Sequence, residues 1–169
     1  MSDVHTKLNA MPLDAAREAL TRCCGARQWV DEMLSRRPFS STHALLAAAD
    51  EVWSSLDRDA YLEAFRAHPK IGEDMQALHT KFGSTASWAH EEQAGVRSAD
   101  ERTLLALRDE NQAYLARFGF LFIVCATGKS ASELLALLCA RMNNEPLFEL
   151  AVAAREQAKI TKLRLEKLT

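Results

Sequence analysis

The stretch "FGFLFIVCATG", residues 118–128, decides the fold class. Its nearly continuous apolar character fits a short buried strand or a buried helix, and periodicity alone cannot separate the two. A lone strand would leave its backbone donors and acceptors without partners. Nothing else in the 169-residue chain alternates as a sheet does. The stretch therefore predicts a buried helical or irregular segment inside an all-α fold.

The flanks carry helix punctuation. Ser98 with Glu101, and Ser130 with Glu133, have the spacing of capping boxes, in which side chain and backbone satisfy each other's free groups. They predict helices over 99–117 and 131–142. Between them "ATGKS" follows an apolar segment and precedes a helix, as a phosphate loop would. Ile123, however, stands where that loop needs its first glycine, so Lys129 and Ser130 read as turn and helix cap. From Glu145 to Leu168 the spacing is helical throughout, with Pro146 tolerated in a first turn, which predicts a long C-terminal helix. Toward the N-terminus, "STHALLAAADEVWSSLD" gathers Leu45, Leu46, Val52, Trp53 and Leu56 on one face behind Ser41 as N-cap. "PLDAAREALTRCCG" opens on Pro12 and ends on Gly25, which predicts about three turns closed by a left-handed glycine. No repeat or Gly/Ser linker divides the chain, so residues 1–169 are expected to form one multi-helix bundle domain.

Composition narrows the function. With 48% hydrophobic and 26% charged residues the chain can bury a core of ordinary density, and a net charge of -2 offers no basic surface for a nucleic-acid backbone. No apolar run reaches the roughly 18–20 residues needed to cross a bilayer. The start "MSDVHTKLNAMPLD" lacks the pattern of a secretory signal and the end "EKLT" is not a peroxisomal address, so a cytoplasmic location is expected. Cys23, Cys24, Cys125 and Cys139 show no C-x-x-C spacing and read as reduced, mostly buried thiols.

Candidate chemistry centres on "FRAHPKIGED", residues 65–74, where His68 either caps a helix end or acts on a ligand. Proline disfavours helical geometry in the residue before it, so the helix should stop at or near His68. His68, His79 and His90, with Glu91 and Glu92, could hold zinc. No H-E-x-x-H or short His-x-His pair fixes two ligands on one face, and no metal is predicted. Trp29, Trp53, Trp88, Phe118 and Phe120 are expected to be structural.

Taken together, "RPF" at 37–39, "HPKIG" at 68–72, "EEQAGV" at 91–96, "NQAYLARFGFLFIVCATGKS" at 111–130 and "KITKLRLEKL" at 159–168 resemble the 2-oxo-4-hydroxy-4-carboxy-5-ureidoimidazoline (OHCU) decarboxylases of urate breakdown. The resemblance spans most of the chain, with the motifs in order. It implies a cofactor-independent carboxy-lyase that forms S-allantoin and carbon dioxide, and a homodimer. Residue by residue it makes His68 the catalytic acid/base and Pro69 part of the substrate wall. Ala89, His90, Glu91, Glu92 and Gln93 would face the substrate, with Glu92 also catalytic. Phe122, Ile123, Val124, Cys125 and Ala126 would lend backbone groups and apolar walls, and Arg164 would reach in from the last helix. Ala89 stands where many members carry serine, with Ser87 the nearby hydroxyl. A helical adaptor or an all-α metal hydrolase remain the alternatives from other classes.

Overall fold

The computed structural model describes residues 3–69 and 94–168, the stretch 94–100 as helical backbone. Among the described residues there are eight helices and no strand: α1 (Val4–Ala10), α2 (Leu13–Cys23), α3 (Arg27–Ser35), α4 (Thr42–Ser54), α5 (Arg58–Arg66), α6 (Ala94–Phe118), α7 (Ala131–Arg141) and α8 (Pro146–Glu166). The all-α expectation holds. The chain divides into two compact units, Met1–His68 with Val152–Thr169, and Pro69–Ala151.

In the first unit α3 packs against α2, α4 and α5, and α1 against α4. Its core holds Leu8, Leu20, Trp29, Met33, Leu45, Phe65 and Leu165, all fully buried. Ser41 caps α4 as expected, its hydroxyl accepting from the Ala44 N–H at 3.0 Å. The indole N–H of Trp29 donates to the Ala49 carbonyl at 3.2 Å, and that of Trp53 to the Ala154 carbonyl at 2.9 Å. Both tryptophans are thus structural, and the second pins the C-terminal helix within this unit. Trp88 lies outside the described residues.

Gly25 differs from expectation. Helix α2 ends at Cys23 and is followed by extended backbone at Cys24, and the two left-handed glycines among the described residues are Gly119 and Gly128. Gly25 is glycine because a Cβ there would meet the Cβ of Ala67 at 2.4 Å. A close approach, not a turn, sets the residue type.

In the second unit α6 packs on α7. Ser130 and Glu133 form the predicted capping box, with N–H to side-chain distances of 3.2 and 2.7 Å. Helix α6 begins at Ala94 instead of 99, so Ser98 lies inside it and is not its N-cap. The residues between Ala94 and Ser98 contain no proline, and a capping-box spelling also fits a helix interior. Gly119, at φ 78°, closes α6 with its N–H on the Leu115 carbonyl at 2.9 Å. Residues 121–126 then run without regular structure, with Phe122, Ile123, Val124 and Cys125 buried. The middle of the decisive stretch is thus irregular and buried, one of the two readings, helical or irregular, that the sequence predicted.

Candidate active site

Helix α5 sets His68. Asp57 caps its start by accepting from the Ala60 N–H at 3.0 Å, and its end comes at Arg66, three residues before Pro69. The His68 N–H still reaches the Phe65 carbonyl at 3.1 Å, while Pro69 has no N–H to continue the ladder. Gly25 lets this end of α5 settle closely against the segment that follows α2.

The imidazole is half-buried. Its Nε2 lies 2.5 Å from Oε1 of Gln157, which is fully buried on α8. The Gln157 amide N–H donates to Thr161 Oγ1 at 3.1 Å, and the Thr161 hydroxyl donates to the Cys23 carbonyl at 3.4 Å. Arg164, one turn beyond Thr161, is exposed and donates from Nη1 to the Arg22 carbonyl at 3.2 Å. Burial lowers the pKa of His68 below the ordinary histidine value, the Arg164 charge lowers it further, and the Gln157 hydrogen bond opposes both. Burial thus favours the neutral imidazole, the form able to accept a proton. Burial pushes the neighbouring Cys23 and Cys24 thiols up to about 11, with Arg164 pulling the other way, so neither is a ready nucleophile.

In the second unit, the irregular segment is held from behind. Glu149 is fully buried and accepts from the Tyr114 hydroxyl at 2.5 Å, Arg141 Nε at 2.7 Å and the Asn144 amide at 2.8 Å. Arg141 in turn donates from Nη1 to the Ile123 carbonyl at 2.7 Å and stands 4.5 Å over the Phe122 ring. Burial, then the Glu149 hydrogen bond, raises the Tyr114 pKa far above the usual phenol value, so its proton stays in place. Lys129 Nζ holds the Cys125 carbonyl at 2.8 Å. Phe118, Phe120 and Phe122 pack around the Tyr114 ring at centroid distances of 4.6, 5.8 and 5.2 Å. Phe118 and Phe120 are structural, as expected.

Of the residues singled out from sequence, His68 and Arg164 share the first unit. Pro69, which is exposed, and Phe122, Ile123, Val124, Cys125 and half-buried Ala126 belong to the second. Ala89, His90, Glu91, Glu92 and Gln93 lie outside the described residues, as do Ser87 and His79. Among the described residues no three His, Cys, Asp or Glu side chains are grouped to hold a metal ion. Gln157, Thr161, Arg141 and Glu149 were missed by sequence reading. The i, i+4, i+7 spacing of Gln157, Thr161 and Arg164 was the available signal, since it places all three on one helical face.

The half-buried His68 and the exposed Arg164 thus share one all-α unit. The OHCU decarboxylase family model matches residues 9–166, and the chain belongs to that family of carboxy-lyases. It is 33% identical over 159 residues to the uric acid degradation bifunctional protein TTL of Arabidopsis thaliana, covering 94% of this chain and 48% of that protein. Against the 2-oxo-4-hydroxy-4-carboxy-5-ureidoimidazoline decarboxylase of Amia calva it is 34% identical over 134 residues, 78% of this chain and 74% of that one. The chain thus spans about half the length of the bifunctional relative and about three quarters of the other. Among solved structures it matches an OHCU decarboxylase crystallised in the presence of (S)-allantoin, with a TM-score of 0.70 and 33% identity over 88% of this chain and 94% of that one.

Proposed function

We propose that the chain decarboxylates OHCU to S-allantoin and carbon dioxide in urate breakdown, with His68 as general acid/base. The observation that carries the reading is the half-buried imidazole of His68, its neutral form favoured by burial, with one ring nitrogen engaged by Gln157 and the Arg164 charge near enough to lower its pKa. Membership of the family and the likeness to a structure solved with (S)-allantoin support the substrate.

The chemistry asks little beyond proton management. The substrate carries carboxylate and hydroxyl on one ring carbon and an imine at the next. When the carbon–carboxylate bond breaks, its electrons enter that imine, so the substrate is its own electron sink and no cofactor is required. The hydroxyl then loses its proton to become a carbonyl, and a proton is added to the ureido-bearing carbon on one face. A histidine can serve either transfer, accepting as the neutral imidazole and donating as the imidazolium. In this reading Glu92 orients the imidazole or binds the ring, and Arg164 and Gln93 bind the ureido and ring carbonyls. Backbone groups along 122–126 meet the planar edge of the substrate. The chain works as one domain, in a cytoplasmic homodimer. No helix among the described residues is long and apolar enough to cross a membrane.

The test is turnover of freshly generated OHCU with a chelator present, followed by chiral analysis. The expected product is S-allantoin in enantiomeric excess, formed faster than by spontaneous decay. A racemate at the uncatalysed rate overturns the reading in favour of a non-catalytic module, and activity abolished by the chelator overturns it in favour of a metalloenzyme.

A further inference from the structure

The last helix carries a hydrogen-bonded chain whose direction can be read from its end. The Cys23 carbonyl belongs to the final turn of α2, where carbonyls have no partner within the helix, and it can only accept. The Thr161 hydroxyl directs its single proton to this end of α2, where the Cys23 carbonyl at 3.4 Å and the Cys24 thiol both meet it, and so receives from the amide of Gln157, at 3.1 Å. That leaves the Gln157 carbonyl oxygen facing His68 Nε2 at 2.5 Å, and an amide oxygen can only accept. The opposite amide orientation would need Thr161 to donate to Gln157, taking from the Cys23 carbonyl its donor. Gln157 is fully buried and Thr161 is 5% exposed, so water does not readily replace a lost partner.

We infer that Gln157 is a positioning residue that holds His68 in its Nε2–H tautomer, making Nδ1 the nitrogen that exchanges protons with the substrate. The inference rests on the reading of His68 as the acid/base. It makes the polar stripe of α8 two devices in one helix: Gln157 and Thr161 set the imidazole, and Arg164 sets its charge environment.

Nitrogen NMR of protein labelled at histidine identifies the protonated ring nitrogen directly, with no substitution and no substrate. The expected spectrum of the wild-type protein has His68 protonated at Nε2, and an Nδ1–H spectrum overturns the inference. Gln157→Met keeps the packing volume but removes the acceptor. It should let the two tautomers mix and lower kcat roughly tenfold to a hundredfold, part of what general acid–base catalysis contributes. KM should stay within about twofold, because Gln157 does not touch substrate. Thr161→Ser, which keeps the relay, should retain wild-type kcat. An unchanged tautomer and kcat in folded Gln157→Met overturn the positioning role. Near-wild-type turnover by His68→Asn instead overturns the role of His68, and that of Nδ1 with it, whatever the spectrum.

Discussion

Gly25 and Ala67 stand so close that a Cβ on Gly25 would lie 2.4 Å from the Cβ of Ala67, the residue before His68. The contact couples the end of α2 to the end of α5, the two places where the Thr161 relay and the imidazole are anchored. Gly25→Ala should therefore push His68 away from Gln157. Overpacking of this kind costs about 1–3 kcal/mol, read as a lower melting temperature with reduced kcat. Adding Ala67→Gly opens the space again and should restore both; a double variant no better than the single one would count against the contact.

Arg141 is 8% exposed and Glu149 fully buried, so removing one partner strands a charge. Arg141→Met should cost about 3–5 kcal/mol in a denaturant melt. Replacing both, with Glu149→Leu, should recover part of that loss, because an apolar pair leaves no buried charge behind. Loss of the Arg141 donor to the Ile123 carbonyl should also loosen 121–126, seen as faster amide exchange there. Stability within about 0.5 kcal/mol of wild type in the single variant would contradict the clamp.

Much of the fold is legible because caps are local. Ser41 and Ser130 each announce a helix within four residues, and the structure honours both. The segment 118–128 could be taken out of the strand class because no partner strand exists in the sequence. Gly25 was misread because a glycine after a helix is spelled the same way whether it turns the chain or admits a neighbour, and Ala67 lies 42 positions away. Gln157, Arg141 and Glu149 were invisible for a related reason. Polar residues on an amphipathic helix are usually solvated, and only tertiary packing makes these three exceptions. His68 stood out by its place before Pro69 and again by motif resemblance, Arg164 by resemblance alone, and neither signal points to Gln157.

Arg164 depresses the pKa of His68, second to burial. Arg164→Gln should raise the His68 value, moving it toward the ordinary value of about 6.5, as followed by NMR titration. Arg164→Lys, which keeps the charge, should leave the value near wild type yet still raise KM, because lysine lacks the planar fork of donors. The stability sign follows. Between the lowered folded value and 6.5 the unfolded chain holds a proton that the folded one does not, so His68 makes the fold less stable as pH falls through that window and has no effect above it. Arg164→Gln should lessen that acid sensitivity. A His68 titration unmoved by removing the charge would break the link between the two residues.

The most direct measurement is the rate and enantiomeric excess of allantoin formed by His68→Asn, beside its melting temperature. Asparagine keeps a polar side chain of similar reach but exchanges no proton near neutral pH. The account predicts a folded protein whose turnover falls by roughly a hundredfold to ten-thousandfold, with allantoin-like ligands still bound. A folded His68→Asn protein that makes one enantiomer at near wild-type rate, or a variant inactive only because it unfolds, would make His68 a helix cap and contradict the account.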